Sequence, residues 1–402
     1  MSTTHLLAGL ATTLALVLPD PAWAQKKYDP GATDTEIKIG QTMAYSGPAS
    51  AYGTLGKAEA AFFRKINDEG GINGRKIVFI SVDDGYSPPK AVEMTRRLVE
   101  QDQVLLMFGS LGTASNSAVH AYLNARKVPQ LFIATGAAKW NDAKGHPWTM
   151  GLQPDYQTEG HVYAKHILQT RPNAKIGVLY QNDDYGRDYM KGLKDGLGDK
   201  AARMIVAEAT YEVTDPTVDS QILQLQASGA DVFVDVTTPK FAAQAIRKAY
   251  DSGWKPVHYL NSVGNYVGSV LAPAGLDKSV GLISTLYSKD PTDPTWNNDP
   301  GMLEWRAFMK NYYPDGDLTN NINVGGFSAA YTLVHVLRQC GDNLTRDNVM
   351  RQAASLKDFS GPTSLPGILV NTSPTDFAPT KSMQPVRFDG KTWVKLGDVL
   401  GL

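Results

Sequence analysis

The chain has almost no cysteine. Cys340 stands alone among 402 residues, so no disulfide can form within the chain and its stability must come from packing. It also lacks a charge excess, with 39 Lys and Arg against 40 Asp and Glu. That balance gives no general attraction to nucleic acid or to an anionic membrane surface. No apolar run reaches the roughly 20 residues that a membrane span requires. The seven histidines are scattered, and His161 and His166 in "EGHVYAKHIL" are five apart, so they do not share a helix face as paired metal ligands would. What is present, 42% hydrophobic and 20% charged residues, is the composition of a globular chain long enough for two domains. Cys340 itself, inside "AAYTLVHVLRQC", reads as a small hydrophobe on a helix.

The one membrane-like stretch is short. Leu6 to Leu18 is followed by Pro19, Pro21 and the small-residue pattern Ala22-Trp23-Ala24, which predicts a signal peptide over residues 1–24 and an exported chain. The "MSTTHL" that precedes it carries no Lys or Arg, a departure from the usual leader. Loss of the leader removes Asp20 and leaves 39 charges of each sign.

Beyond "TEIKIGQTM" the chain alternates short β-branched runs with helical patterns. Strands are expected at Ile37 to Gln41, Lys76 to Val82, Val104 to Phe108 and Gln130 to Ile133, with amphipathic helices between them. A second series follows: "AKIGVLYQ", "RMIVAEATY", "DVFVDVTT" and "KPVHYLNS" alternate with "GRDYMKGLKDGL", "DSQILQLQASG" and "PKFAAQAIRKAYDSG". Two βαβ series predict an α/β fold of two doubly wound, Rossmann-like lobes. Pro- and Asp-rich stretches at "PWTMGLQPDYQ" and "STLYSKDPTDPTWNNDP" mark passages between them, so a multi-strand hinge is expected. A closing hairpin is expected to turn at Asp389-Gly390. In such sheets ligands sit beyond the carboxyl ends of the strands, where Gly-rich turns open helices. "FGSLGTASNSAVH", Phe108 to His120, is such a junction.

Enzyme signatures are weak. "FGSLGTASN" lacks the G-x-G-x-x-G spacing, and "YGTLGKA" lacks the ending and the preceding strand of a phosphate-binding loop. The paired acids of "VDDG" and "NDDYG" read as helix caps at strand ends, and no Ser/His/Asp constellation can be placed. No catalysis, cofactor or metal is expected.

In order and spacing, "SGPASAYGTLGKAEAAFFRKINDEGGINGRKI", "DDGYSPPKAVEMTRRLV", "FGSLGTASNSAV", "VLYQNDDYGRDYMKGLKDGL" and "LNSVGNY" resemble the type I periplasmic solute-binding proteins of ABC importers, in the Leu/Ile/Val-binding branch. The resemblance runs from about Glu36 to Asp389. It implies a periplasmic receptor that closes two lobes over a solute and delivers it to a membrane permease, acting as a monomer and without nucleic acid. It implies a first lobe of residues 33–154 plus 288–365 and a second of 155–287 plus 366–402. It places the ligand carboxylate on the Thr113 hydroxyl and on backbone groups at Gly136 and Ala138, with Ala137 between them and Ser110, Ser115 and Asn116 nearby. Tyr52 and Tyr185 would face the ligand from opposite lobes. The plain alternative is that Thr113 or Ser115 caps its helix.

Three departures bear on the ligand. Where amino-acid binders of this branch carry an acid for the ligand ammonium, this chain has Asn261, in "YLNSVGN". Where a tyrosine follows the "DVFVDV" strand, it has Thr237-Thr238-Pro239. The family's disulfide positions fall near Tyr86 and Gly112. A buried ammonium without a charged partner is costly, so the expected solute is a carboxylate that is not an amino acid, aromatic acids included, with Thr237 or Asn261 addressing its other end. Branched-chain or aromatic amino acids are the alternative, with Asp183, Asp184 or Asp235 as substitute acids. Amides or urea-like solutes, a sensory ectodomain and an exported enzyme are the remaining readings.

Overall fold

A computed structural model describes residues 26–401; the expected signal peptide, 1–24, lies outside them. Each βαβ series forms its own sheet. In the first, strands run Lys76–Asp83, Glu36–Met43, Leu106–Phe108, Gln130–Ile133, Thr149–Gly151, all parallel. In the second, Ile205–Tyr211, Ile176–Gln181, Val232–Val236, Val257–Leu260 and Ile283–Leu286 repeat that order, also parallel. In both, the first strand of the series lies between the second and third. The winding direction reverses there, which leaves a crevice at the carboxyl ends. Ser382–Phe388 adds antiparallel to the second sheet and pairs with Trp393–Lys395. Their turn is the expected one: the Asp389 carboxylate accepts from the Lys391 and Thr392 amides, both at 2.8 Å.

The helices are amphipathic and press their apolar stripes on these sheets. Helix Gly53–Asp68 buries Phe62 and Phe63, and Phe62 meets Phe327 of helix Asn321–Cys340 edge to face at 5.0 Å. Burying one such ring contributes about 1.5–3 kcal/mol. Helices Pro300–Tyr312 and Asn321–Cys340 thus return to the first lobe, whose core holds Trp305 and Leu333. Cys340 closes that helix as a buried residue, its thiol pushed up to about 12 by burial.

The chain crosses between lobes after Gly151, after Leu286 and before Ser382. Toward the third crossing the chain is shared. Leu365 and Ile368 pack in the second lobe, while Val370 and Phe377 pack in the first, so the boundary expected at residue 366 falls inside a strap that both lobes hold. The first lobe also begins before residue 33: Lys27–Tyr28 pairs with Asn343–Leu344. Among the described residues no helix is long and apolar enough to cross a membrane.

Candidate ligand site between the lobes

The strand ends of both sheets meet around a cavity of about 800 Å³, open solvent at its mouth included. The first lobe supplies Tyr52, Tyr86, Leu111 to Thr113, Ala134, Thr135 and Gln153; the second supplies Tyr156, Tyr185, Thr238, Ser262, Val263, Asn265, Tyr266 and Thr285. Tyr287 and Ser288, from the second crossing, and Asn321 and Ile322, from a first-lobe helix, complete it. Among the described residues, six tyrosines line it and no Asp, Glu, Lys, Arg or His does. Burial holds the Tyr52, Tyr185 and Tyr266 hydroxyls well above the ordinary tyrosine value and Tyr156 at about 12, so all four are neutral donors and acceptors.

The junction at Phe108 to His120 is built by its small residues. Gly112 has φ +90, and a Cβ there would meet the Tyr86 ring at 2.4 Å. Tyr86 and Gly112, the expected disulfide positions, are therefore in contact, with a ring where the resemblance places a bond. Helix Thr113–Ala125 starts after this glycine with no side-chain cap, so neither Thr113 nor Ser115 serves as one. The Thr113 and Thr135 hydroxyls bond each other at 2.5 Å, and Thr135 continues to the Tyr156 hydroxyl at 3.2 Å. The result is a wall of hydroxyls beside a helix start with free amides.

Tyr185 is set by its own turn. Asp183 caps helix Asp184–Leu197 by accepting from the Tyr185 and Gly186 amides at 3.0 and 3.3 Å. Gly186 lets that helix lie against the strand end, since a Cβ would stand 2.0 Å from the Gln181 carbonyl. The Tyr185 hydroxyl is buried and finds no partner in the protein, and neither does the Asn321 amide oxygen. A buried polar atom left unpaired is costly, and beside a cavity a ligand can supply its partner.

The lobes are held closed around this space. Tyr52 donates to the Val263 carbonyl at 2.6 Å, the Ala138 amide donates to Asp188 at 2.7 Å, and Lys139 pairs with Asp184 at 2.7 Å.

Of the residues expected at the ligand, Tyr52, Thr113 and Tyr185 line the cavity, whereas Ser110, Gly136, Ala137, Ala138, Thr237 and Asn261 do not. Ser110 accepts from the Thr42 amide, and Ala137 packs with Ile133 and Trp140. The Gly136 carbonyl takes the Tyr156 amide at 2.8 Å. The Ala138 amide already holds a carboxylate, that of Asp188 in the opposite lobe. Thr237 donates to Asp235 at 2.6 Å, and the Asn261 amide nitrogen donates to the Asp235 and Thr237 carbonyls. The cavity instead receives Thr238 and Ser262, each one residue further on. Successive side chains beyond a strand end point in opposite directions, so a one-residue displacement exchanges a cavity residue for a core one. Asp183, Asp184 and Asp235 are spent on a helix cap, on Lys139 and Arg187, and on Thr237 and His258.

Residues 36–392 match the family model described as periplasmic binding protein. The chain belongs to that family. Its curated relatives include Leu/Ile/Val-binding protein homologues. It is 24% identical over 295 residues to Leu/Ile/Val-binding protein homolog 7 of Brucella abortus (strain 2308), spanning 69% of this chain and 71% of that one. A branched-chain amino acid ABC transporter protein from Thermus thermophilus, solved with bound valine, superposes with TM-score 0.80 at 15% identity, over 92% of this chain and 97% of that one. A fatty acid ABC transporter substrate-binding protein from Thermomonospora curvata superposes with TM-score 0.75 at 20% identity, over 94% and 95%. One fold thus serves relatives whose names state different ligands, and the ligand has to be read from the cavity.

For this binding protein the second-lobe wall is decisive. Asn261 stands where the resemblance expects an acid, and a different acid lies behind the wall, Glu159 on helix Tyr156–Thr170. Buried and facing no cation, Glu159 accepts from the Ser262 amide and hydroxyl, both at 2.7 Å, from the Thr285 hydroxyl at 2.9 Å, and from the Tyr163 and Tyr189 hydroxyls. Burial raises its pKa while these donors pull it down. Because Ser262 and Thr285 give their protons to Glu159, they turn lone pairs to the cavity.

Proposed function

We propose that this protein captures a small carboxylate lacking an ammonium group, aromatic acids included, and presents it to the permease of an ABC importer. The observation that carries this reading is a closed, tyrosine-lined cavity with no ionised side chain among its described lining residues, and with Tyr185, whose buried hydroxyl is unpaired, among them. A carboxylate suits such a site: the start of helix Thr113–Ala125, the one proton that the Thr113–Thr135–Tyr156 hydroxyl chain leaves free, and Tyr185 are neutral donors drawn from both lobes. An ammonium would find only neutral acceptors. Because those donors belong to two lobes, the ligand touches all of them only in the closed form and shifts the population toward it.

Glu159 favours a second reading, a branched-chain or aromatic amino acid whose ammonium meets Ser262 and Thr285, the acid acting through their hydroxyls. A thermal-shift screen of non-amino carboxylates against amino acids separates the two. A rise in melting temperature with benzoate- or phenylpropanoate-like acids supports the first reading; a rise with leucine-like amino acids alone replaces it with the second.

A further inference from the structure

A second cavity adjoins the first, about 780 Å³ with its mouth included. Leu55, Ala134, Gln153, Tyr287, Ser288 and Gly325 line both, so the two chambers are neighbours. The second chamber's wall carries Phe132, Ile133, Leu152, Phe359, Ile368 and Val370. Three of its hydroxyls are turned to the protein: Thr332 donates to the Ser328 carbonyl at 2.9 Å, Thr380 donates to the Leu152 carbonyl at 2.9 Å, and Ser364 accepts from the Gly361 amide at 3.1 Å. Glu59, the one acid among the described residues here, is fully buried, with Oε2 bonded to Gln41 and Oε1 unpaired, and burial pushes it well above the carboxylate range, which favours its neutral form. Phe132 takes φ +53 at a register shift in strand Gln130–Ile133. That conformation is strained for an aromatic residue, and such strain with a bulge recurs beside functional sites.

A first chamber whose wall carries hydroxyls and a helix start, adjoining a second whose wall carries Phe132, Leu152, Phe359, Ile368 and Val370, matches an amphipathic ligand. We propose that the second chamber receives the apolar tail of the carboxylate whose head lies in the first, and that the substrate class is an elongated monocarboxylate, a straight acyl chain or an aryl-terminated one. This assignment rests on the carboxylate reading above.

Affinities of the mature full-length protein for unbranched carboxylates from butanoate to dodecanoate, measured by isothermal titration calorimetry after unfolding and refolding to strip bound solute, test it. Each methylene that enters the chamber should tighten binding about four-fold until the chamber is filled. Ala329→Phe, which places a ring in the second chamber only, should flatten that gain with chain length, while circular dichroism checks its fold. Affinity that is flat or falls beyond pentanoate, with the short acids still binding, overturns the tail chamber and leaves the carboxylate reading standing. Binding of leucine with no acid of any length overturns both.

Discussion

Replacing Tyr185 with Phe removes one oxygen and nothing else, and its consequences for stability and for binding run in opposite directions. In the ligand-free protein that hydroxyl is buried without a partner, a condition that costs about 1–3 kcal/mol. Its removal should leave stability unchanged or raise it by about 1 kcal/mol, a shift of about 1–3 °C in melting temperature. In the complex the same hydroxyl donates to a carboxylate, a charge-assisted bond of about 1.5–3 kcal/mol, so Tyr185→Phe should weaken binding roughly 10- to 150-fold. The ring's edge contacts with Tyr156 at 5.1 Å and Tyr189 at 5.6 Å do not need the oxygen, and the wall keeps its shape. Calorimetry with the best acid of the screen, beside thermal melts without it, reads both numbers. An unchanged dissociation constant, or a destabilised ligand-free protein, refutes the assignment of Tyr185 to the ligand.

Three further outcomes follow from the same geometry. Asp188→Ala removes the carboxylate that bridges to the Ala138 amide across the cleft; the closed fraction should fall, read as a larger radius of gyration by small-angle scattering and an affinity weaker by about ten-fold. Glu159→Gln replaces an acceptor of five bonds with an amide whose nitrogen must face some of those donors, so the melting temperature should drop by an amount equivalent to about 2–4 kcal/mol. Asp290, at the second crossing, has its carboxyl raised from 3.8 to about 6 by burial. The folded protein therefore holds a proton between about pH 4 and pH 6 that the unfolded chain has lost, and stability falls as pH rises through that window, by at most about 3 kcal/mol. Asp290→Asn, neutral at every pH, should flatten that slope in melts from pH 4 to 7 and exceed the parent protein in stability at pH 7.

The architecture was legible because its signals are periodic and redundant. Two series of β-branched runs alternating with amphipathic helices specify two wound sheets, and Asp389-Gly390 and Asp183 act as turn and cap where their chemistry predicts. The cleft was legible only as a set of strand ends. Thr237 and Asn261 lie beside Thr238 and Ser262 in sequence, and which of each pair faces the cavity depends on how a strand leaves its sheet, which composition does not encode. Ala138 sits at the expected turn, but its amide meets an acid 50 residues away in the other lobe, a contact made only by closure. Glu159 carried no local signal at all. It lies in the first turn of helix Tyr156–Thr170, where an acid is the ordinary complement to the helix dipole, and its role exists only because Ser262, more than a hundred residues on, folds against it.

The central claim is that the cavity accepts a carboxylate and rejects the ammonium beside it. 3-Phenylpropanoate and L-phenylalanine share the same skeleton and differ by that one group, so their dissociation constants, measured by calorimetry on one preparation, isolate it. A wall without an ionised acid should bind phenylpropanoate at least ten-fold more tightly. Tighter binding of phenylalanine would contradict the account and hand the second-lobe wall, with Glu159 behind it, to an amino acid.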